Sequence, residues 1–408
     1  MKILVVNKFY YRRGGDCIFA INLVELLKQQ GHEVAVFAMQ HPENIPTEWN
    51  KYFPSKVEFI GKIQRLKAFF RLLGDREVKQ KFTALLDDFQ PDVIHLNNIH
   101  SQLSPVVAQI AHRRGIRVIW TMHDYKLLCP RYDCMRDRKE CRLCYTNKIN
   151  VLRHRCMKNS ITASFSAYLE ALTWSKKKLE TYTDTFICPS VFMKNEMLKG
   201  GFDSKKVVTL NNFITADHQK TGDVGERGDY YCYVGRLSAE KGLETLLKVA
   251  EQLPYKLIVI GVGVLGDSLK SKYASDKIIF TGYKTCEEIK PILERARFLV
   301  VPSECRENNP LNIIESLTLG TPVLGANIGG IPEMINDTNR NFPSFQNLES
   351  LKGNGMLFES RNIADLKDKI TALFSGGIKF NYKIIAEKAQ VKYSPQTYYK
   401  EIVKIYEK

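Results

Sequence analysis

Apolar residues along this chain fall into two alternating rhythms. Short unbroken apolar runs occur in KILVVN (2–7), in Val34–Ala38, in PDVIHLNN (91–98), in RVIWT (117–121) and in TFICP (185–189). Between them lie longer stretches with apolar residues at helical spacing, such as Ile18, Leu23, Leu26 and Leu27. The same alternation returns in the second half. There the runs are Tyr231–Val234, YKLIVIGVG (255–263), IIFTGY (278–283), Phe298–Val301 and Pro322–Gly325, and LETLLKVAEQL (243–253) is a helical stretch. Continuous apolar runs suit strands buried on both faces, as in parallel sheets covered by helices. The pattern predicts two α/β units in series, with polar and glycine-containing loops at the strand ends. Val207–Phe213 leads from one to the other, and the polar stretch from Asp217 to Asp229 reads as a linker or surface loop.

A length of 408 residues agrees with two domains. The composition, 44% hydrophobic and 25% charged, is that of a globular protein. The formal net charge of +16 favours anionic partners: nucleic acid, anionic lipid or a phosphorylated substrate. No RNA-recognition or zinc-finger spacing is present, so nucleic acid is not expected. The apolar run in MKILVVNKFYY is too short for a secretory signal and reads as a first strand. No run approaches the roughly 20 apolar residues that span a bilayer, so a cytoplasmic protein is expected. One stretch adds a membrane question. In 61–82, Ile63, Leu66, Phe69, Phe70 and Leu73 form a helical apolar stripe among Lys62, Arg65, Lys67, Arg71, Arg76, Lys79 and Lys81. This is either an ordinary helix with a solvated basic face or one that lies on an anionic membrane surface.

The candidate chemistry sits at strand ends, where open α/β sheets bind ligands. The stretch from Leu299 to Glu333 reads strand, loop, helix, strand, with Pro310 at the helix start and Gly320 and Pro322 closing it. Glu307 lies in the loop and Glu315 inside the helix, with seven residues between them. That spacing allows the two carboxylates to flank one bound molecule and accept from sugar hydroxyls. Amides near Asn309 and Leu311 open the helix, where an anion is favoured. Arg236 and Lys241 bracket the loop after Tyr231–Val234, and such a pair of cations can neutralise a diphosphate. At the N-terminus, YYRRGGD places Gly14 and Gly15 after the first strand, and the dinucleotide fingerprint G-x-G-x-x-G is absent. A tight turn with positive φ would explain either glycine equally well. His123 follows RVIWT, with Asp124 beside it to orient the ring. His95, inside a strand, reads as packed, and His100 is assigned no role.

Glu-x₇-Glu in this setting, followed by GTPV and GGIPE, resembles the retaining, nucleotide-sugar-dependent glycosyltransferases of family four. The resemblance covers nearly the whole chain. It implies the GT-B fold: two Rossmann-like, doubly wound parallel-sheet domains facing a central cleft. The acceptor-binding domain would span 1–190, the interdomain crossing and linker 191–229, and the nucleotide-sugar-binding domain 230–390. A final helix, 391–408, would cross back to the first domain. By the same resemblance, Arg236 and Lys241 bind the donor diphosphate together with amides around Asn309, Pro310 and Leu311. Glu315 takes ribose hydroxyls, and Glu307 contacts the transferred sugar. Gly282 and Tyr283 line the base pocket, Gly14 and Gly15 approach the donor phosphate, and His123 lies close to the sugar. His123, Glu307, Arg236 and Lys241 are the expected catalytic set. Glu304, just upstream of Glu307, competes for the sugar contact if the loop is shifted.

The implied reaction moves a sugar, with retention, from a nucleoside diphosphate sugar to a hydroxyl of a glycan or lipid-linked acceptor, as in bacterial surface polysaccharide synthesis. It implies no catalytic metal, and no Asp-x-Asp stands beside the donor residues. The protein would be cytoplasmic, with peripheral contact at the inner face of the plasma membrane. A sugar phosphorylase or sugar-phosphate synthase on the same plan is the alternative, followed by a non-enzymatic glycan- or membrane-binding scaffold. The cysteine-rich insert 129–156 stands apart. Cys129, Cys134, Cys141, Cys144 and Cys156 include a C-x₂-C pair, the common half of a structural zinc site. With little apolar content, the insert needs some tie to become ordered, and a structural zinc and unligated thiols both stay open.

Overall fold

A computed structural model of the protein describes residues 1–58, 61–137, 139–215, 227–337 and 353–408, and Lys62 by its backbone alone. The expected linker from Asp217 lies largely outside them. The chain forms two compact units, Met1–Asn211 with Tyr398–Lys408, and Asn212–Thr397.

The first unit is built on strands β1 (Lys2–Val6), β2 (Glu33–Phe37), β3 (Val93–Leu96), β4 (Arg117–Thr121), β7 (Thr185–Cys188) and β8 (Val207–Thr209). They lie in the order β2-β1-β3-β4-β7-β8, and every pair is parallel. Ile3, Leu4, Val5 and Val6 are almost fully covered, as a central strand between two helical layers must be. A short antiparallel hairpin, β5 (Met135–Arg136) with β6 (Lys139–Glu140), stands within the cysteine-rich segment. The residues expected to begin the crossing, from 191, instead form a helix (Val191–Lys199) and the sixth strand, β8, of this sheet. Val207 is buried, so this strand has apolar surface to place against the sheet edge.

The second unit repeats the plan with β9 (Tyr230–Val234), β10 (Lys256–Ile260), β11 (Ile278–Gly282), β12 (Leu299–Val301), β13 (Val323–Ala326) and β14 (Gly355–Phe358). The order is β11-β10-β9-β12-β13-β14, again parallel throughout. In each sheet the strand order reverses at the middle, between β1 and β3 and between β9 and β12. The connections there leave in opposite directions, and the carboxyl ends of those strands are open to a ligand.

The last helix (Pro395–Glu407) is tied into the first unit by polar contacts. Tyr406 Oη lies 2.6 Å from His95 Nδ1, and Thr121 Oγ1 lies 2.7 Å from Nε2. The ring is completely covered, and burial pushes its pKa down to about 3, so it stays neutral. His95 is thus a packed strand histidine with both nitrogens bonded. Replacing Tyr406 with Phe leaves Nδ1 without its partner in an apolar site. The expected cost is about 1–3 kcal/mol, read as a lower urea midpoint for the first unit.

Candidate functional site

In the second unit the site grows from the loop after β12. Pro302 ends the strand, and Pro310 caps the helix Leu311–Thr318 from outside it. Glu307 sits between them. Its Oε1 accepts from Lys241 Nζ at 2.6 Å and from Ser303 Oγ at 2.6 Å, and its backbone oxygen accepts from Gly330 N at 2.7 Å. Two glycines allow this approach. Gly242 has φ +68°, and a Cβ there would stand 1.8 Å from Pro302 O. Gly329 has φ +62°, and a Cβ would stand 2.4 Å from Glu307 O. The GG turn after β13 therefore braces the backbone of Glu307.

Electrostatically the pair is ionised. Burial works against the charge on Lys241, but the Glu307 carboxylate, Cys305 and the hydrogen bond more than offset it and raise its pKa. Burial likewise raises Glu307, but Lys241, Ser303 and Cys305 together bring it below the ordinary value. Glu304 is held elsewhere, by Thr245 Oγ1 at 2.7 Å and Arg361 Nε at 3.1 Å, so Glu307 alone of the two reaches Lys241. Arg236 is 65% exposed and pairs with Glu240 at 3.0 Å, a contact that a phosphate can displace at little cost. Asn312 Nδ2 donates to Val234 O at 2.8 Å and pins the helix start to the end of β9. Asn309 is buried, and its Oδ1 and backbone oxygen bond Asn212 at 2.8 Å each. Glu315 is different: burial alone raises its carboxyl to about 7, with no offsetting cation. Gly282 has φ +75°, and Tyr283 is 68% exposed, so its ring is not core packing.

In the first unit, Gly14 caps helix α1 (Gly15–Gln29) with φ −164°, extended backbone that any residue adopts. A Cβ on Gly14 meets only Asp16 Oδ1, at 3.6 Å, so neither strain nor crowding within this unit requires glycine there. The turn with positive φ is therefore not the explanation for Gly14. His123 Nε2 lies 2.9 Å from Asn97 Oδ1 and so carries the proton, and Phe19 meets the ring edge-on. Asp124, expected to orient this ring, instead accepts from Lys126 N at 2.8 Å. Burial, with Lys8 adding to it and Asp16 opposing, lowers His123 to about 4, so the imidazole is neutral. Asp16 accepts from Asn98 Nδ2 at 3.0 Å. Burial opposes its charge, but Lys8 and the bonds from Asn98 and Cys17 act to lower its pKa.

Asp16, Asn97, Asn98, Asn312 and Ser303 did not emerge from the sequence as site residues. The polar ending of PDVIHLNN was the one available signal, for Asn97 and Asn98. Nothing in SECRENN marked Ser303 as the partner of Glu307, because a four-residue loop contact has no period. Among the described residues, Asn97 Nδ2, Asn98 Oδ1 and His100 Nδ1 in the first unit, and Asn309 Nδ2 and Asn312 Oδ1 in the second, are buried without a partner. In each unit such atoms near strand ends fit a polar ligand.

In the cysteine-rich segment the expected structural zinc finds no support among the described residues: no group of three or more His, Cys, Asp or Glu side chains there is disposed to hold a metal ion, and Cys129, Cys134, Cys141, Cys144 and Cys156 form no disulfide. An ionic tie is present. Glu196, fully covered, accepts from Arg142 Nε at 2.9 Å and Nη2 at 3.1 Å, and from Tyr145 Oη at 2.7 Å. Lys148 donates to the carbonyl oxygens of Leu127 at 3.1 Å and Leu128 at 2.6 Å. Hydrogen bonds from Cys134 and Cys144 draw the Cys129 thiol far down.

Comparison with known proteins identifies the family and the fold. The description "Glycosyltransferase Family 4" matches residues 14–218, half of the chain, and "Glycosyl transferases group 1" matches residues 215–391. An uncharacterized 42.6 kDa protein in the cps region of Klebsiella pneumoniae is 26% identical, over 86% of this chain and 91% of its own. Sucrose-phosphate synthase from Thermosynechococcus elongatus has the same fold, with TM-score 0.70 at 18% identity over 100% of this chain and 98% of its own. So does Anabaena HepE, solved with UDP-glucose, with TM-score 0.65 at 15% identity over 99% of both chains. The chain belongs to the family 4 glycosyltransferases and carries their GT-B architecture of two six-stranded parallel sheets.

Proposed function

We propose that the protein transfers a sugar, with retained anomeric configuration and without a metal ion, from a nucleoside diphosphate sugar to a hydroxyl of a glycan or lipid-linked acceptor. Surface polysaccharide synthesis on the cytoplasmic side of an anionic membrane is the setting this reading favours. The partly buried Lys241–Glu307 pair at the switch point of the second sheet carries it. Cleavage of the bond between the anomeric carbon and the phosphate oxygen leaves charge on the diphosphate. Lys241, Arg236 and the amides that open the Leu311–Thr318 helix are the groups to receive it. Glu307 is engaged by Lys241 and Ser303, so its role is to hold the sugar rather than to attack it. Glu315 accepts the ribose hydroxyls, and Gly282 and Tyr283 border the base. In the first unit the neutral His123 and the ionised Asp16 serve the sugar and acceptor hydroxyls, beside Gly14 and Gly15. Anabaena HepE, solved in complex with UDP and with UDP-glucose, supports a nucleotide-sugar donor. The likeness to sucrose-phosphate synthase supports the second reading, in which the acceptor is a sugar phosphate.

A panel of nucleoside diphosphates tests the donor site, because a ligand that binds only the native state raises the unfolding temperature. One nucleotide is expected to shift it. Lys241→Ala should lower turnover about 100- to 1,000-fold at unchanged secondary structure. A panel without any shift would defeat the donor-site reading.

Glu315 sets a pH dependence. Its folded pKa of about 7 exceeds the ordinary 4.5, so over that interval the folded protein holds a proton that the unfolded chain lacks. The group's stabilising contribution is therefore full at low pH and is lost as pH rises to 7. Ribose hydroxyls donate to the charged form, so nucleotide affinity runs the other way and falls about tenfold per unit below pH 7. Calorimetric titration across pH should show this limb, and Glu315→Gln should flatten it.

Retention and metal independence are read from one reaction. The new linkage should carry the donor's anomeric configuration by NMR, and the rate should be unchanged by a chelator. An inverted product would refute retention, and a rate lost to chelator and restored by a divalent ion would refute metal independence.

A further inference from the structure

Helix α2 (Lys62–Leu72) turns part of its apolar surface away from the core. Ala68 and Leu72 are buried beneath it, whereas Ile63 is 73%, Leu66 58% and Phe70 54% exposed. These three recur at intervals of three and four residues and so share one face. Arg65 and Lys67 are exposed alongside, and helix α3 (Arg76–Phe89) opens with Arg76 and Lys79 exposed. Helix α2 contains no acidic residue. Arg71, counted with the basic face in the sequence, is no part of it. It is 1% exposed, and its guanidinium donates to Asp75 at 2.5 Å, Glu77 at 2.8 Å and the carbonyl oxygens of Ser55 at 3.0 Å and Gln102 at 2.9 Å. That anchor fixes the rotation of the helix, and with it the outward aim of Ile63, Leu66 and Phe70.

We infer that this face is a docking surface for an anionic lipid bilayer. The three apolar side chains enter the acyl boundary while Arg65, Lys67, Arg76 and Lys79 lie at the level of the headgroup phosphates. A large apolar side chain exposed without cover is placed favourably only where water is absent, and a basic rim selects a negatively charged surface. A second copy of this chain fits less well, because a two-fold contact would set one basic rim against another across a low-dielectric boundary. The inference stands apart from the donor site, and it specifies which surface makes the membrane contact in the proposed reaction.

The test is flotation of the full chain with phosphatidylcholine vesicles and with mixed phosphatidylcholine/phosphatidylglycerol vesicles, at low and high salt. The wild type is expected to float with the mixed vesicles at low salt, less at high salt, and not with phosphatidylcholine alone. The triple variant Ile63→Ser, Leu66→Ser, Phe70→Ser should lose at least tenfold in vesicle partitioning. Its unfolding temperature and nucleotide response should stay those of the wild type, since all three side chains are exposed. The variant Arg65→Gln, Lys67→Gln should lose most of the binding to mixed vesicles. Wild-type protein that does not float with anionic vesicles would overturn the inference, as would a triple variant that floats as well as the wild type. A wild-type dimer in light scattering that the triple variant converts to monomer would assign the face to a second copy instead. Failure of the donor-site reading would appear separately, as absence of any nucleotide response in the wild type.

Discussion

The Lys241–Glu307 ion pair is the constraint around which the second unit is arranged. Two opposite charges partly removed from water are held at low cost only at short range and with their remaining hydrogen-bonding capacity used. Ser303 uses one carboxylate lone pair, and Gly330 holds the adjoining backbone. Gly242 and Gly329 clear the space that lets the loops after β9, β12 and β13 converge. Placing a lysine at the end of one strand and a glutamate after the next requires the two to be neighbours in a parallel sheet, which the β9–β12 pairing supplies. On the proposed reading, a donor diphosphate would displace the carboxylate at Lys241, and a sugar hydroxyl would donate to Glu307.

The first unit meets the same problem with less charge. The carboxyl ends of β1, β3 and β4 gather a neutral histidine, two asparagines and one ionised aspartate. Asn97 orients His123, Asn98 supports Asp16, and Trp120 Nε1 donates to Asn97 O at 2.9 Å from within the core. An amide is a good companion for a ring that must stay uncharged, because it accepts a proton's hydrogen bond without favouring the imidazolium as a carboxylate would. The Asp124 side chain, one residue away, is spent on a local turn.

The cysteine-rich segment shows how a region poor in apolar residues is held without a metal-ligand group among the described residues. Glu196 lies on the helix Val191–Lys199, fully covered, and Lys199 of the same helix also donates to it at 3.0 Å, so Arg142 and Tyr145 join the cysteine-rich segment to a carboxylate already partly paired. The guanidinium binds through two nitrogens, which fixes orientation as well as distance. Lys148 closes the other end on backbone oxygens. A buried carboxylate thus acts as the cross-link.

The sequence by itself determined the fold class, because each strand that is buried on both faces had to be an unbroken apolar run, and such runs alternated with helical stripes. It also marked Lys241, Arg236, Glu307 and Glu315, since proline and glycine punctuation fixes where a strand ends and a helix begins, and ligand groups sit at those ends. Only the tertiary structure decided the rest. That residues 191–209 add a helix and a strand to the first sheet depends on which edge has room. That Ile63, Leu66 and Phe70 face outward, while Phe69 and Leu73 are partly covered, depends on how Arg71 is anchored. That Asn97 rather than Asp124 holds His123 depends on β3 and β4 lying side by side. In each case the deciding contact joins residues with no fixed spacing along the chain, and local pattern carries no information about partners that only folding brings together.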